Sequence, residues 1–521
     1  MNSVRKIISA LMCVVLLLST LCSCDLLDLS IGNPPNAEEP FNGLDKVGYT
    51  VAYLRTDSLS PYKCESDTNR NIVRLMFDPL FNVTDEFEPV AVIAESYDYT
   101  QKNVINVKLK AGLTFSDGTA LTAEDVVYSF VLAKRSNYYS QYLKNIVDCS
   151  ANGSKNVVFT LSAENPYEVS NLSFPIIKKG SDQDTSSSDD YSSAIPIGSG
   201  RYTFVVENET KKLVANKTRL GSYTPQYNYI GLRDITETSS IPSLFDLNEV
   251  DFYTESFSDG AYKRYTGTST TFETSNFVYL GINSQSNILK HEPVRRAIAL
   301  LIDRQNVAAV SFSDFAVATT TPFHPSFYAM EGCAVMPSAY NEDAAEELLD
   351  EFGFAVPDNN YGTRYSPVYG KLELRLLVNK ENSFKLALAR NIQQTLAKAN
   401  ISVILREYTY GQYVNAVEEG YYDLYIGEVN LSNSFNLNAF FGSNGSVNYG
   451  IDSECKSAKD YKLLLKGEKT MQEFVDTFTD ELPFIPLIYR QGITVRSSKI
   501  KTNTKTIVSD YLYNVDEWTV E

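Results

Sequence analysis

The chain of 521 residues contains only two histidines and one tryptophan, and these shortages limit the chemistry open to it. His291 and His324 alone cannot form a His-rich metal site. The sequence has no GxSxG nucleophile elbow, and residues 467–470 (GEKT) lack the upstream glycine of a phosphate-binding loop. We therefore predict no catalytic residues, no metal and no cofactor, and we do not expect an enzyme.

Basic residues are also few, with 46 Lys and Arg against 64 Asp and Glu and a net charge of −18. A protein that binds nucleic acid needs a basic surface for the phosphate backbone, so we expect no nucleic-acid partner. The length allows roughly three domain-sized units. We expect a soluble body that is a monomer.

Three of the seven cysteines lie within the first 24 residues. The other four are far apart in the sequence and form no CxxC pair: Cys64, Cys149, Cys333 and Cys455. Isolated cysteines of this kind are commonly small buried apolar residues, which is our prediction, and one disulfide outside the cell is the alternative.

The N-terminus has the pattern of a lipoprotein signal peptide. Arg5 and Lys6 precede an apolar run over residues 7–18, which is shorter than the roughly 20 residues of a membrane span, and Ser23 precedes Cys24. We predict that residues 1–23 are removed and that Cys24 carries lipid. Residues 24–45, rich in Pro, Gly and Glu, are predicted to be a flexible tether. A retained transmembrane anchor is the alternative.

A strand, a turn and a capped helix are predicted between residues 105 and 131. Apolar and polar residues alternate over 105–109, and Asp117-Gly118 forms a turn. Thr122 is in position to cap a helix, with Asp125 three residues later to complete a capping box.

This segment, LKAGLTFSDGTALTAEDVVYSF over residues 109–130, resembles the signature region of the oligopeptide/dipeptide-binding family. These are the family 5 extracellular solute-binding proteins of ABC importers. Three further segments extend the resemblance: PIGSGRY at 196–202, a strand and helix over 278–304, and LPFIPL at 482–487.

The resemblance implies an α/β, two-lobed periplasmic-binding-protein type II fold with an extra subdomain in the first lobe. Two strands that cross between the lobes would carry hinge residues at Asn283 and Pro486. The implied division is a first-lobe core over 46–60, 190–280 and 489–521, an extra subdomain over 61–189, and a second lobe over 281–488.

The second lobe also shows α/β order from its own pattern. Helical spacing of apolar residues predicts helices over 344–352 and 384–396, and alternation predicts strands over 372–376 and 401–405. Asn400 is expected to end the longer helix.

By family position, a ligand should lie extended between strands from the two lobes. The first-lobe strand would contain Glu65, Ser66 and Asp67. The second-lobe ligand residues would be Gly427, Glu428, Val429, Asn430, Ser432 and Asn433.

The sequence departs from the family here, because the Gly-Trp-x-x-Asp arrangement common in peptide-binding members is absent from 427–433 (GEVNLSN). Glu428 or an acid of the first lobe would then receive a peptide's ammonium group, or the ligand lacks a free amine.

The resemblance predicts a lipid-anchored protein on the extracytoplasmic face of the bacterial cell membrane. Such a protein would capture a short peptide by lobe closure and deliver it to an ABC permease. An oligosaccharide or other polar solute is the alternative ligand, and a peptide-sensing surface receptor is the alternative role.

Thirty-five tyrosines invite the sugar interpretation, since aromatic rings stack on sugar faces. Neighbouring pairs such as Tyr138 and Tyr139 cannot both face one cleft from a helix or strand, so we favour structural roles for them. His324, in a Pro-rich segment, is expected to be an exposed loop residue.

Overall fold

The computed structural model describes residues 44–182, 195–219, 225–256, 265–335, 339–356 and 362–521. The predicted signal peptide, Cys24 and the tether up to residue 43 lie outside the described residues. The first strand begins at Leu44, so residues 44 and 45 belong to the folded body and not to the tether.

Twelve described strands lie between residues 44 and 282. They are β1 (Leu44–Leu54), β2 (Phe81–Val83), β3 (Pro89–Ala91), β4 (Ala94–Gln101), β5 (Val104–Leu109), β6 (Ile146–Ala151), β7 (Asn156–Leu161), β8 (Tyr202–Glu207), β9 (Thr210–Ala215), β10 (Tyr227–Ile235), β11 (Phe252–Ser256) and β12 (Thr268–Ile282). The described helices of this range are α1 (Asp67–Met76), α2 (Ala123–Ala133) and α3 (Ile241–Asp246).

Helices are more frequent in the rest of the described chain. They are α4 (Glu292–Leu301), α5 (Arg304–Asn306), α6 (Glu342–Glu351), α7 (Ser383–Lys398), α8 (Tyr410–Glu418), α9 (Asn438–Phe441), α10 (Lys456–Leu465) and α11 (Met471–Glu481). The strands are β13 (Ala316–Ala318), β14 (Tyr365–Ser366), β15 (Gly370–Lys371), β16 (Glu373–Asn379), β17 (Ser402–Tyr408), β18 (Leu424–Asn430) and β19 (Phe484–Arg496).

One large mixed sheet connects the two lobes in the order β17-β16-β18-β12-β19-β11-β1-β10-β9-β8, with β13 added to β19. The strands of the second lobe lie at one end of this order and those of the first lobe at the other. The long antiparallel strands β12 and β19 lie between them and pair with both groups. The α/β, two-lobed type II fold that the sequence predicted is therefore confirmed.

A separate four-stranded sheet, β4-β5-β7-β6, packs with α2 inside the range predicted for the extra subdomain. The capping box is present as predicted, because Asp125 Oδ2 accepts hydrogen bonds from the Thr122 backbone N–H and hydroxyl at 2.8 and 3.0 Å. Val126 and Phe130 bury the apolar face of the helix. The exact domain boundaries remain predictions.

The predicted second-lobe elements are confirmed as α6, β16, α7 and β17. Helix α7 buries one stripe of residues spaced at four, namely Phe384, Leu388, Ile392 and Leu396. Asn400 ends this region with φ of 61°, a left-handed conformation that asparagine tolerates.

The four cysteines of the folded body are all free, and Cys64 and Cys149 are buried. Trp518 is fully buried against Tyr49 and Phe252 in the first lobe, so it packs the core. None of the helices in the described ranges has the length and apolar character of a membrane span.

The glycines of the 196–202 turn allow it to lie directly against the end of α1. Gly200 N–H donates to the Met76 carbonyl at 3.0 Å. A Cβ at Gly200 would lie 2.3 Å from the Met76 carbonyl carbon, far inside van der Waals contact. Only glycine fits here without moving the backbone.

We expect Gly200→Ala to lower the free energy of unfolding by about 1–3 kcal/mol, since the added methyl group overpacks a buried backbone contact. Gly411→Ala is the matched control, because Gly411 lies in α8 with open space around it and alanine favours the helix. Urea unfolding monitored by circular dichroism measures both. Equal urea midpoints for the two variants would show that an added methyl group at Gly200 is tolerated against the Met76 backbone, contrary to this expectation.

Candidate ligand-binding cleft

A cavity of about 560 Å³ lies where the two lobes meet. The first lobe contributes Arg74, Tyr138 and Asn171 to its wall, and the second lobe contributes Asn430 and Asn433. The C-terminal segment adds Tyr511 and its neighbours. A solute in this cavity would touch both lobes.

The floor of the cavity is formed where the pairing of β12 and β19 is interrupted. The register is regular from Thr268 to Glu273, breaks, and resumes at Phe277. Residues 274–276, which do not pair with β19, line the cavity together with Arg490 and Gln491 on β19. A break in a ladder frees backbone groups and bends the strand, which explains why polar groups face the cavity here.

The predicted hinge residues lie close to this break but not at it. Asn283 directly follows β12 and donates to the Tyr422 carbonyl at 3.1 Å. Pro486 lies inside β19 opposite Tyr279, and its carbonyl accepts from Arg304 at 2.7 Å. Their hinge role remains a prediction, while the observed irregularities of pairing lie at 273–277 and 278–279.

Helix α1 carries Arg74 into the cavity wall. Its N-terminus is capped by Ser66, whose Oγ accepts from Asn69 N–H at 3.2 Å. The buried Asn69 amide also bonds both backbone groups of Leu54, which fixes the helix to the end of β1. Arg74, in the last turn, lies over the Tyr511 ring with 4.4 Å from its guanidinium carbon to the ring centroid.

The predicted first-lobe ligand strand at Glu65, Ser66 and Asp67 is wrong as a strand. Asp57 accepts from the backbone N–H of Glu65 at 3.1 Å and of Ser66 at 2.8 Å. These donors are therefore not free for a peptide backbone, and Asp67 begins α1. None of the three residues lines the cavity.

The second-lobe prediction is closer to the observed cavity. Asn430 and Asn433 line it, whereas Gly427, Glu428, Val429 and Ser432 do not. Residues 427–430 pair with β12 along one edge, and β16 pairs with β18 only at Leu424 and Tyr425. Within the part of the chain that the structure describes, the other edge of 427–430 has no partner strand.

Glu428, the candidate for receiving an ammonium group, already has two cationic partners. Its oxygens lie 2.6 Å from Lys385 Nζ and 3.0 Å from Arg490 Nη1. Burial by itself raises the pKa of Glu428, but Lys385 and Arg490 outweigh it and hold the pKa below its usual value. A peptide ammonium would have to displace one of these partners.

Tyr138, Tyr139 and Tyr142 all line the cavity, so the argument from neighbouring tyrosines is wrong at this place. They lie in the turns that follow α2, where side chains do not alternate between faces. The rings of Tyr138 and Tyr139 meet edge to face at 4.8 Å. Arg70 stacks on Tyr138 at 3.8 Å and holds the group against α1.

Direct hydrogen bonds join the lobes beside the cavity. Asn433 donates to the Ser170 carbonyl at 3.2 Å, and Ser434 Oγ accepts from Asn171 at 2.9 Å. The buried Glu168 accepts from Asn171 at 2.9 Å and from Asn165 at 2.7 Å, so it orients the amides that reach across. Burial raises the pKa of Glu168, and its amide partners partly oppose that rise.

His324 is fully buried, which contradicts the expectation of an exposed loop residue. Its Nε2 lies 3.0 Å from Glu273 Oε2, and its ring packs against Phe87 and Phe435 from opposite lobes. Burial raises the pKa of Glu273, but the contact with His324 outweighs it and the pKa is lowered. The His324 side chain therefore fills the seam between the lobes.

No group of three or more His, Cys, Asp or Glu side chains that could hold a metal ion occurs in the described ranges. The polar groups of the cavity are amides, hydroxyls, guanidinium groups, carboxylates and the ammonium group of Lys110. They can bind and orient a polar solute.

The fold and the cleft define a two-lobed binding protein. A family model described as "Bacterial extracellular solute-binding proteins, family 5 Middle" matches residues 88–450. Because this match covers more than half of the chain, the protein belongs to that family, as the resemblance predicted.

Curated relatives share modest identity with the chain. The oligopeptide-binding protein AppA of Bacillus subtilis is 23% identical over 355 residues, which cover 65% of this chain and 64% of AppA. The glutathione-binding protein GsiB of Salmonella typhi is 22% identical over 479 residues, covering 85% of this chain and 89% of GsiB. The chain thus spans slightly less than two thirds of AppA.

Solved structures show the same fold. The unliganded open form of the periplasmic murein tripeptide-binding protein MppA has a TM-score of 0.73 at 16% identity and covers 92% of this chain and 99% of MppA. Bacillus subtilis AppA in complex with a nonapeptide has a TM-score of 0.54 at 21% identity, with coverage of 93% and 100%.

The cavity residues that sequence reasoning missed are Arg74, the 138–142 tyrosines and the 274–276 break. Arg74 follows Arg70 by four residues in an otherwise largely buried helix, which is the one local signal that could have drawn attention to it. The break at 274–276 has no sequence signal apart from its run of Thr, Ser and Asn.

We expect Glu428→Gln to lower the free energy of unfolding by about 2–4 kcal/mol at neutral pH, because Lys385 and Arg490 lose their shared carboxylate. The folded-state pKa of Glu428 lies below the usual 4.5, so its contribution is complete above that pH and is lost as the pH falls through the folded value. The difference between wild type and variant should therefore shrink in acid.

Urea unfolding at pH 7 and near pH 3 measures this difference. Glu407→Gln is the control, since Glu407 forms a surface ion pair with Arg390 and its loss should change stability by less than about 0.5 kcal/mol. If the difference in free energy of unfolding between wild type and Glu428→Gln is the same at both pH values, the lowered pKa of Glu428 is contradicted.

Proposed function

We propose that the protein is a lipid-anchored, extracytoplasmic solute-binding protein that captures a short peptide between its lobes and delivers it to an ABC permease. The observation that carries the proposal is the cavity of about 560 Å³ lined by both lobes at the break between β12 and β19. The protein binds its solute and leaves it chemically unchanged.

Ligand binding and closure of the lobes are expected to be coupled. A ligand that touches both lobes stabilises the conformation in which they meet, and the Asn433 and Ser434 bridges add to that conformation directly. The proposed bending point is the irregular stretch 274–276 of β12, since it is not held by a regular ladder. Asn283 and Pro486 both lie beyond this stretch, on the side where β12 pairs with β18.

The free edge of residues 427–430 reaches the cavity wall at Asn430, and this edge supports a peptide ligand. An extended backbone can add to an unpaired strand edge through main-chain hydrogen bonds, which do not depend on side-chain identity. The first lobe offers side chains in place of a strand, because Asp57 occupies the donors of Glu65 and Ser66. Recognition in this protein would therefore be asymmetric between the lobes.

Relatives support a solute of this kind. AppA of Bacillus subtilis is solved with a nonapeptide, and MppA is a murein tripeptide-binding protein. Anchoring through Cys24 and transfer to a permease rest on the N-terminal pattern and on family membership.

An oligosaccharide or other polar solute is the second candidate ligand. The observation that favours it is the presence of Tyr138, Tyr139 and Tyr142 in the cavity wall, because tyrosine rings stack on sugar faces and their hydroxyls reach sugar oxygens.

We expect the melting temperature of the mature protein to rise with a mixed pool of short peptides, because a ligand that binds only the folded state stabilises it. Matched measurements with a pool of oligosaccharides distinguish the two candidates. Native mass spectrometry of freshly purified protein would weigh any retained solute. A rise in melting temperature with oligosaccharides and none with peptides would replace the peptide by an oligosaccharide as the proposed ligand.

We expect Ser434→Ala to weaken binding of whichever pool stabilises the wild type, because the closed conformation loses an interlobe acceptor worth about 1 kcal/mol and its population falls. Small-angle scattering should show a larger unliganded radius of gyration for the variant. Ser453→Ala, at an exposed position of the same lobe, is the control. Unchanged scattering and unchanged affinity in Ser434→Ala would exclude a role of this bridge in closure.

A further inference from the structure

One arginine of the cavity, Arg74, has no carboxylate partner among the residues that the structure describes. Arg74 is half-buried in the wall, and among the described residues no Asp or Glu oxygen lies within ion-pair distance of it. Its Nη1 is buried and has no hydrogen-bond partner. A buried donor left without an acceptor is costly, and a ligand that supplies the acceptor recovers that cost.

The other first-lobe arginines of the cavity are neutralised within the protein. Arg201 pairs with Asp510 at 2.5 Å, and Arg219 pairs with Asp78 at 3.1 Å. Asp510 lies near enough to act on Arg74 electrostatically, but its oxygens are taken by Arg201 and by the backbone N–H of Leu512. Among the described residues, Arg74 therefore differs from its neighbours in having no carboxylate of its own and an unpartnered Nη1.

Arg490, on the β19 wall, also has a donor without a partner. Arg490 and Lys385 share the single carboxylate of Glu428. Arg490 is 4% exposed, lines the cavity, and leaves its buried Nη2 without a partner. In a chain of net charge −18, unmatched donors on two walls of one cavity favour an anionic group between them.

The position of Arg74 suits a planar anion. Tyr511 lies beneath the guanidinium, with 4.4 Å from the guanidinium carbon to the ring centroid, and holds the side chain in place while Nη1 stays without a partner. A guanidinium presents a fork of donors that matches the two oxygens of a carboxylate. The competing explanation is that Arg74 only packs on Tyr511.

We propose that the captured solute carries a carboxylate and that Arg74 binds it. This inference rests on the proposed function and specifies its substrate class. The carboxylate can be the C-terminus of a peptide or an acidic side chain, and the shared chemistry is a planar anion against a guanidinium.

Four matched pools of tri- to pentapeptides test the inference. They combine a free or amidated C-terminus with acidic residues present or replaced by their amides. The readout is the pool concentration that gives half of the maximal rise in melting temperature. Wild type is compared with Arg74→Gln, Arg74→Lys and the control Arg233→Gln, which removes one charge from a surface pair with Glu249.

We expect wild type to respond to at least one pool that retains carboxylates at lower concentration than to the pool that has none. For Arg74→Gln, the concentration of the preferred pool that gives half of the maximal rise in melting temperature should be at least about tenfold higher. This is the loss of affinity expected when one partner of a buried charge pair is truncated. Arg74→Lys should lie between, because it keeps the charge and loses the fork. Arg233→Gln should match wild type. The preferred pool identifies the source of the carboxylate.

Equal responses of wild type to all four pools would overturn the inference and leave peptide capture standing. No rise in melting temperature with any of the four pools would overturn both the inference and the proposal of peptide capture. A variant Arg74→Gln that is less stable without ligand but keeps the wild-type preference would show that Arg74 only packs on Tyr511. If Arg74→Gln does not fold, wild-type affinity and preference in Arg74→Lys would overturn the inference.

Discussion

The antiparallel pairing of β12 with β19 is the interaction on which the rest of the molecule depends. One end of this pair is joined to β11 and the first lobe, and the other end to β18 and the second lobe. Because the ladder is broken at 274–276, the two ends need not remain coplanar. The same break opens the floor of the cavity, so the connection between the lobes and the position of the cleft have one structural origin.

Carboxylates around the seam are largely satisfied from within the protein. Glu428 is held by Lys385 and Arg490, Glu273 by His324 and Gln491, and Glu168 by asparagine amides. Buried charges need such partners, and their hydrogen bonds orient the side chains that cross between the lobes. Among the described residues, the buried donors of the cavity wall that remain unmatched are guanidinium nitrogens of Arg74 and Arg490, and the side-chain oxygens of Asn171 and Asn276 are unmatched acceptors.

Errors in the sequence-based site prediction have identifiable causes. The segment at 65–67 is extended up to Ser66, but a carboxylate at Asp57 takes its backbone donors and turns it into a helix cap. The tyrosines at 138–142 lie in turns, where the alternation rule does not apply. His324 is covered by rings from both lobes, which no Pro-rich local pattern could reveal.

The sequence by itself determined the elements whose cause is local. The Thr122 capping box, the buried stripe of α7 and the alternation of β5 depend on residues within a few positions of one another, and the family signature identified the fold that they build. Only the tertiary structure decided the cleft. Arg74 meets Tyr511, and Asn433 meets Ser170, across half of the chain or more. Such contacts depend on how two lobes are packed, and periodicity in the sequence carries no information about distances of that kind.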